Sequence, residues 1–164
     1  MRRTSLAEHN CSTARALELL GDRWTLLILR DAMFGVTRFE EFRERLGVAR
    51  NILTTRLDDM VGHGLLERRP YDAARCRYDY VLTDKGRATW PILMAMRQWG
   101  DTWIAGEGRE PLQFVHRSCR TPTTAQLTCD CCGEPLQFAD LTAVAGPGLT
   151  DPSLLPKRSN PTIG

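Results

Sequence analysis

The residues best suited to chemistry in this chain are its cysteines, four of which lie within residues 119–132. His116 and Cys119 are separated by two residues, and so are Cys129 and Cys132. Two ligand pairs at this spacing are typical of a zinc ribbon, because tetrahedral Zn²⁺ accepts three cysteines and one histidine. The pattern predicts one structural zinc ion per chain, bound by these four side chains.

Two other states of this cysteine cluster fit the same spacing. The thiols can stay reduced and pack a small sheet, or they can form a disulfide, for example between Cys119 and Cys129. Arg120 follows the first pair where glycine would turn the backbone more easily, whereas Gly133 follows the second pair, and Cys131 belongs to neither. Four protein ligands would leave no open position for a substrate, so a zinc ion here would be structural.

Two further cysteines lie outside the cluster. Cys11 immediately precedes a predicted helix, and Cys76 lies in a predicted loop with arginines but no base beside it. A helix N-terminus can lower the pKa of a thiol and so favour the reactive thiolate. A small, inert, buried residue is the alternative interpretation of Cys11, since free cysteine is often buried.

Polar residues with base-reading chemistry lie near the start of a helix predicted over residues 49–61. Arg50, Asn51, Thr54 and Thr55 lie largely off its apolar stripe. Arginine donates to guanine, asparagine pairs with adenine, and threonine bonds bases or contacts the thymine methyl group. These residues predict contacts in the major groove, with a plain solvated face as the alternative.

The elements around this helix have the order of a winged helix-turn-helix. Hydrophobic periodicity and glycine stop signals predict helices over residues 12–20, 23–34, 39–46 and 49–61, strands over 65–69 and 77–82, and a long helix over 83–104. Thr37 and Glu40 have the spacing of a capping box for the third helix. Pro91 should kink or divide the long helix. We therefore predict a mainly α fold with a small β-hairpin wing, in which the fourth helix reads DNA.

The chain changes character after the long helix. Short apolar runs separated by Pro, Gly and Cys predict a small β-rich, cysteine-containing extension over residues 106–148. The segment 149–164 is rich in Pro, Ser and Thr, which predicts a flexible tail. Residues 1–105 form the main domain in this division.

Several motifs, in order, closely resemble those of HxlR-type winged helix-turn-helix regulators of the MarR-like superfamily. The motifs are residues 11–17 (CSTARAL), 20–30 (LGDRWTLLILR), 37–42 (TRFEEF), 52–57 (ILTTRL), 64–68 (GLLER) and 78–86 (YDYVLTDKG). The resemblance covers about residues 11–103. An ordered set of motifs is far more specific than any one of them, and it implies a sequence-specific DNA-binding transcriptional regulator.

The resemblance also implies a homodimer that acts as a repressor or an activator. In such proteins the N-terminal helix and the long helix after the wing form the dimer interface, which makes residues 1–105 the DNA-binding and dimerisation domain. Trp99 and Trp103 are then candidate interface anchors, with packing inside one chain as the alternative. A two-fold dimer places two reading helices about 34 Å apart and so requires a pseudo-palindromic operator.

The resemblance assigns DNA contacts to the reading helix, to the start of the preceding helix, where Arg38 would bind phosphate, and to the wing. The DNA-contacting residues are Arg38, Arg50, Asn51, Thr54, Thr55, Arg56, Arg75 and Arg77. Some HxlR-type regulators use a cysteine before the first helix to sense oxidants or electrophiles, which makes Cys11 a candidate redox sensor. An oxidant or a small molecule is the expected effector, and no motif identifies it.

Composition sets broad limits on other functions. The net charge is +2, so nucleic-acid binding must depend on local charge. No apolar run approaches the roughly 18 residues of a membrane span, and residues 1–6 lack the apolar stretch of a signal peptide, which favours the cytoplasm. The chain has no phosphate-binding glycine loop and no Gly-x-Ser-x-Gly, so we expect no enzyme. Two other functions are the alternatives to DNA binding. One is a protein-interaction module that uses the cysteine-rich segment, and the other is a thiol–disulfide enzyme with Cys129 and Cys132.

Overall fold

The computed structural model describes residues 5–72, 75 and 77–155, and Cys76 lies outside the described residues. Its described elements form a winged helix-turn-helix followed by a small cysteine-containing extension. They are α1 Ser12–Leu20, α2 Arg23–Met33, α3 Phe39–Leu46, α4 Arg50–Gly62, β1 Leu66–Asp72, β2 Arg77–Leu82, α5 Asp84–Arg87, α6 Trp90–Gly100, β3 Phe114–Val115 and β4 Pro122–Thr123. The architecture is mainly α with a β-hairpin wing, as the sequence predicts.

The core lies where α2, α3 and α4 meet the root of the wing. Ile28 and Leu29 of α2, Phe42 of α3 and Leu53 and Leu57 of α4 are completely buried. Each such side chain stabilises the fold by about 1.5–3 kcal/mol through burial. The apolar stripe of α4 therefore sets which of its faces points to solvent.

At the junction between the wing and the following helices, the backbone segments pack too closely to leave room for a side chain between them. A Cβ atom on Gly86 of α5 would lie 2.1 Å from the Leu65 carbonyl oxygen. The Thr83 hydroxyl accepts from the Gly86 amide at 3.1 Å and donates to the Gly64 carbonyl at 2.6 Å. These contacts fix the root of the wing against the end of α4.

The long helix predicted over residues 83–104 is divided in the structure. One turn, α5, ends at Arg87, and α6 begins at Trp90 with Pro91 in its first turn. Proline is accepted in a first turn because it has no N–H to lose there, whereas in a helix interior it breaks a hydrogen bond. A π-helical turn, Asp101–Ala105, completes this region.

Thr37 does not cap α3, so the capping-box prediction was wrong. The N-cap of α3 is Arg38, and its side chain makes no cap hydrogen bond. The Thr37 hydroxyl donates instead to Asp79 Oδ1 at 2.8 Å, and the Thr37 carbonyl accepts from the Tyr80 amide at 2.8 Å. The chain before α3 therefore pairs with β2, as the bridge between Arg38 and Asp79 also shows.

The extension consists of two small hairpins and irregular chain. β3 and β4 pair antiparallel in the first hairpin, and Thr128 bridges Pro135 in the second. The extension contacts the main domain through Phe114, whose ring stacks on Phe34 at 6.2 Å and meets Trp90 edge-on at 5.2 Å.

Asn10 links the two ends of the described chain. Its side-chain amide donates to the Gly148 carbonyl at 2.8 Å, and its carbonyl oxygen accepts from the Thr150 amide at 2.7 Å. The start of the predicted tail is thus held beside Cys11, while residues 156–164 of that tail lie outside the described residues.

Candidate nucleic-acid interface

A tight turn presents α4 to solvent beside the wing. Gly47 ends α3 with φ of 60° and donates to the Arg43 carbonyl at 3.0 Å, a left-handed helix end that favours glycine. Val48 after it is buried, and α4 begins two residues later. The turn anchors the N-terminus of α4 while leaving its outer face open.

Four predicted reading residues share that outer face. Arg50, Asn51, Thr54 and Thr55 are all exposed. The Thr54 hydroxyl donates to the Arg50 carbonyl at 2.9 Å and the Thr55 hydroxyl to the Asn51 carbonyl at 3.0 Å. Each threonine is therefore held in one orientation, yet its oxygen can still accept a hydrogen bond from a base.

A cleft of about 520 Å³ joins the start of α4 to the wing. Arg38, Arg50 and Arg77 line it, together with the aromatic rings of Tyr71 and Tyr78. The Arg38 guanidinium lies 4.5 Å from the centre of the Tyr71 ring. Three cations from separate parts of the chain thus converge on one concave surface, which suits a phosphate backbone. Sequence reasoning missed both tyrosines as site residues, because it placed Tyr71 in the hairpin loop and treated Tyr78 only as a strand residue.

Carboxylates pair with two of these arginines. Arg50 pairs with Glu40, and Arg38 lies 3.7 Å from Asp79. The pKa of Glu40 lies below its ordinary value because hydrogen bonds from Arg43 and then Arg50 favour its ionised form. Exposed ion pairs of this kind contribute only about 0–1 kcal/mol, so a phosphate group can replace the carboxylate at little cost.

The remaining predicted contacts are placed differently. Arg75 is exposed and lies 3.9 Å from Asp72, the last residue of β1. Arg56 points back toward the protein, with Nε 3.8 Å from Asp22 and Nη1 3.3 Å from Asp59. Its side chain is 28% exposed, against 65% for Arg50. The structure therefore places Arg56 beside the reading face and not on it.

A family model described as HxlR-like helix-turn-helix matches residues 19–107, which include this interface. The chain belongs to the HxlR family. An HTH-type transcriptional regulator of Mycobacterium tuberculosis whose function is uncharacterised is 40% identical over 137 residues, 84% of this chain and 87% of the relative. DNA-binding transcription regulation through a winged helix-turn-helix is thus the function class of this HxlR-family protein.

Solved structures agree with this assignment. PA1607, a candidate transcription factor, is 38% identical, with a TM-score of 0.78 over 87% of this chain and 100% of PA1607. The redox regulator HypR in its reduced form is 27% identical, with a TM-score of 0.52 over 56% of this chain and 91% of HypR. The similarity to PA1607 therefore extends into the C-terminal extension, whereas that to HypR covers little more than half of this HxlR-family chain.

Cys11 of this HxlR-family protein is half-buried at the N-cap of α1. The pKa of its thiol lies below the ordinary value because the backbone amides of Ala14 and then Thr13 favour the thiolate. Arg15 adds a smaller electrostatic effect in the same direction. The cysteine predicted to be reactive thus lies where backbone amides favour its thiolate form.

The predicted zinc ligands form two separate pairs. His116 Nδ1 and Cys119 Sγ lie 3.5 Å apart, and the pKa of Cys129 is lowered by the backbone amides of Cys132 and Cys131. Within residues 5–72, 75 and 77–155, no three His, Cys, Asp or Glu side chains converge as a metal site. His116 and Cys119 therefore approach each other, and no third ligand side chain joins them in the described part of the chain.

Exposed apolar side chains lie on α1 and on the region after α5, and together they are called the apolar face. α1 buries none of its residues, and α6 buries only Met94. Trp99 and Trp103 are 60% and 73% exposed, so they are not part of a core within this chain.

None of the helices in the described ranges has the length and apolarity needed to span a bilayer.

Proposed function

We propose that this HxlR-family protein binds a pseudo-palindromic operator as a homodimer and that oxidants or electrophiles control its binding through Cys11. The observation that carries the DNA-binding mode is the convergence of Arg38, Arg50 and Arg77 on one cleft beside the exposed face of α4. Phosphate contacts in the cleft would set the register of the protein on the duplex, and α4 would read bases.

The reading residues divide by chemistry in this proposal. Asn51, Thr54 and Thr55 present neutral donors and acceptors at the N-terminal half of α4, which suits base edges. Arg50 lies at the edge between groove and cleft and serves either a guanine or a phosphate. Arg56 would leave its two carboxylate partners to reach a phosphate, and Arg75 would do so from the wing.

The apolar face supports the dimer. Solvent exposure of two tryptophans on adjacent turns is unfavourable in a free monomer, and an apolar patch of this kind marks an interface. A second copy is the occupant we propose, because the face lies on α1 and the α6 region, the elements assigned to dimerisation in this family. Two-fold symmetry would then place the two α4 helices on one side of the dimer.

The direct test measures binding of the full chain to duplex DNA from upstream of its own gene. Fluorescence anisotropy at several salt concentrations should show tight binding with a steep negative salt slope and preference over scrambled duplex. Arg50→Ala should weaken binding, whereas Arg109→Ala, which removes the same charge from an exposed loop outside the cleft, should not. Equal affinity for specific and scrambled DNA would reject sequence-specific regulation.

Redox control has its own support. HypR, which shares the fold at 27% identity, is a redox regulator, and Cys11 has a thiolate-favouring environment. A peroxide would transfer OH to the Cys11 thiolate, forming a sulfenic acid and releasing hydroxide or alkoxide. Because Cys11 starts α1 on the proposed dimer face, this change would alter the spacing of the two reading helices. Peroxide should release DNA from the native chain and not from Cys11→Ser.

A further inference from the structure

The two hairpins of the extension are copies of one backbone structure. In the first, the His116 amide donates to the Thr121 carbonyl at 3.0 Å. In the second, the Cys129 amide donates to the Glu134 carbonyl at 2.8 Å. The two donors hold equivalent positions, since each starts its hairpin tip and each acceptor lies five residues later.

The tips of both hairpins turn in the same way. The Arg120 amide donates back to the His116 carbonyl at 2.7 Å, and the Gly133 amide to the Cys129 carbonyl at 2.8 Å. Arg120 and Gly133 both have positive φ, 57° and 76°, and Arg120 is the one non-glycine residue with positive φ in the described part of the chain. An arginine held in this strained conformation indicates that the turn itself is required.

Each tip brings its two predicted ligands together. Bond lengths of about 2.3 Å to sulfur and 2.0–2.1 Å to nitrogen place two ligand atoms of a tetrahedral zinc ion roughly 3.5 Å apart. His116 Nδ1 and Cys119 Sγ are separated by 3.5 Å. At the second tip, Cys129 and Cys132 lie in a turn closed by the same pair of backbone hydrogen bonds. The first pair is thus spaced for one metal ion without further change in its own hairpin, and the second pair lies on the same backbone turn.

The extension has no apolar core that could stabilise it alone. Among residues 106–155 whose exposure the structure describes, none is buried. Its regular strands are only two residues long, Phe114–Val115 and Pro122–Thr123. Small units without a core usually need a covalent or metal cross-link to hold one structure. A cross-link between the two tips would meet this need.

We propose that His116, Cys119, Cys129 and Cys132 bind one structural zinc ion, which draws the two hairpin tips together. Because no three of these ligands converge in the described residues, zinc binding requires the connection between the hairpins, residues 124–127, to bend. On binding, the three cysteine thiols release three protons to solvent, and the imidazole binds in its neutral form. Three thiolates and Zn²⁺ leave the site with a net charge of −1, and four protein ligands leave no position for a substrate.

Zinc content of the full chain tests the site directly. The protein, purified under reducing conditions and dialysed against zinc-free buffer, should carry about one zinc per chain. Cys119→Ser and Cys132→Ser should lose it. Cys131→Ser is the matched control, because Cys131 is an exposed neighbour outside the ligand set, and it should keep the metal. His116→Cys should also keep it, since four cysteines suit zinc equally well.

A measurement on the native sequence avoids variants that fail to fold. With zinc bound, iodoacetamide should label Cys131 faster than the three ligand cysteines, and chelation should remove that difference when peptides are resolved by mass spectrometry. Cobalt(II) added to the chelated chain should give the intense visible absorption of a tetrahedral thiolate site. No bound zinc after reconstitution, retention of zinc by Cys119→Ser, or a disulfide between Cys119 and Cys129 in the reduced preparation would each overturn the proposal.

Discussion

The Arg56 guanidinium lies 3.8 Å from the Asp22 carboxylate, so α4 is tied to the residue that caps α2. Asp22 already accepts a hydrogen bond from the Trp24 amide at 2.9 Å. The carboxylate therefore serves both helices at once. An arginine in this position can serve DNA only if it exchanges this partner for a phosphate.

Arg56→Ala should weaken operator binding by about 1–3 kcal/mol, because the proposed phosphate contact is lost. Asp22→Asn is the matched variant, since asparagine still caps α2 and no longer competes for the guanidinium. Anisotropy titrations should show unchanged or tighter binding for Asp22→Asn. If both variants lose affinity equally, Arg56 positions α4 and does not touch DNA.

Asn51→Ala and Arg38→Ala should weaken DNA binding in different ways. Loss of an adenine contact at Asn51 should reduce affinity for the operator by about 1–3 kcal/mol and relax preference at one base pair. Loss of a phosphate contact at Arg38 should weaken all duplexes alike and make the salt slope less steep by about one. Titrations of operator, single-substituted operator and scrambled DNA separate the two. Identical behaviour of the variants would contradict the division of roles.

Gly86→Ala should destabilise the fold by about 1–3 kcal/mol. The added methyl would clash with the Leu65 carbonyl at 2.1 Å, and backbone cannot move aside cheaply. Gly62→Ala at the end of α4 is the control, because a Cβ there meets nothing within 4 Å. Urea unfolding should show a lower midpoint for Gly86→Ala only; equal midpoints would mean that the wing root adjusts freely.

Trp103→Asp should convert the proposed dimer into monomers at micromolar concentration. The substitution places a charge at the centre of the proposed apolar interface, where it would have to be desolvated. Val144→Asp introduces the same charge at a residue that is 77% exposed and lies outside that face. Sedimentation velocity should find monomer for the first variant and dimer for the second. A dimeric Trp103→Asp would move the interface elsewhere.

Alkylation of Cys11 should persist to lower pH than that of an ordinary thiol. Backbone amides of Ala14 and Thr13 lower its pKa in the folded state, so the thiolate is populated below the usual value of 9.0. Reactivity is then lost only as pH falls through this lowered value, and the stabilisation from the thiolate is lost in the same range. The rate of iodoacetamide labelling of Cys11, measured against pH in folded and in urea-unfolded protein, gives the titration midpoint of the thiol in each state. A folded midpoint at or above the unfolded one would contradict the prediction.

Periodicity was sufficient to predict the four helices before the wing and the wing itself, since apolar residues recur along each of these elements. It was insufficient for Thr37, because the competitor for its hydroxyl is Asp79, which is distant in sequence and meets it only after the wing folds. The same reason explains the tyrosine-lined cleft and the ion pair between Arg56 and Asp22. Pairs that arise from tertiary approach leave no periodic signal.

The sequence also did not reveal that the two hairpins repeat one structure. The hairpins share backbone hydrogen bonds and a residue with positive φ. That residue is Arg120 in the first hairpin and Gly133 in the second, and the two have unlike side chains. The sequence shows this repeat only in the spacing of the predicted zinc ligands. No pattern of hydrophobic residues predicts how the chain runs between the two hairpin tips.

The bond from the Thr37 hydroxyl to Asp79 and the bridge beside it make the wing and the helix-turn-helix one body. Arg38, Arg50 and Arg77 are therefore held in one relative geometry within the chain. In the proposed dimer, a regulatory signal would then act on the distance between the two subunits and not on the wing alone. Operators with altered spacer length, rather than altered bases, would report that change.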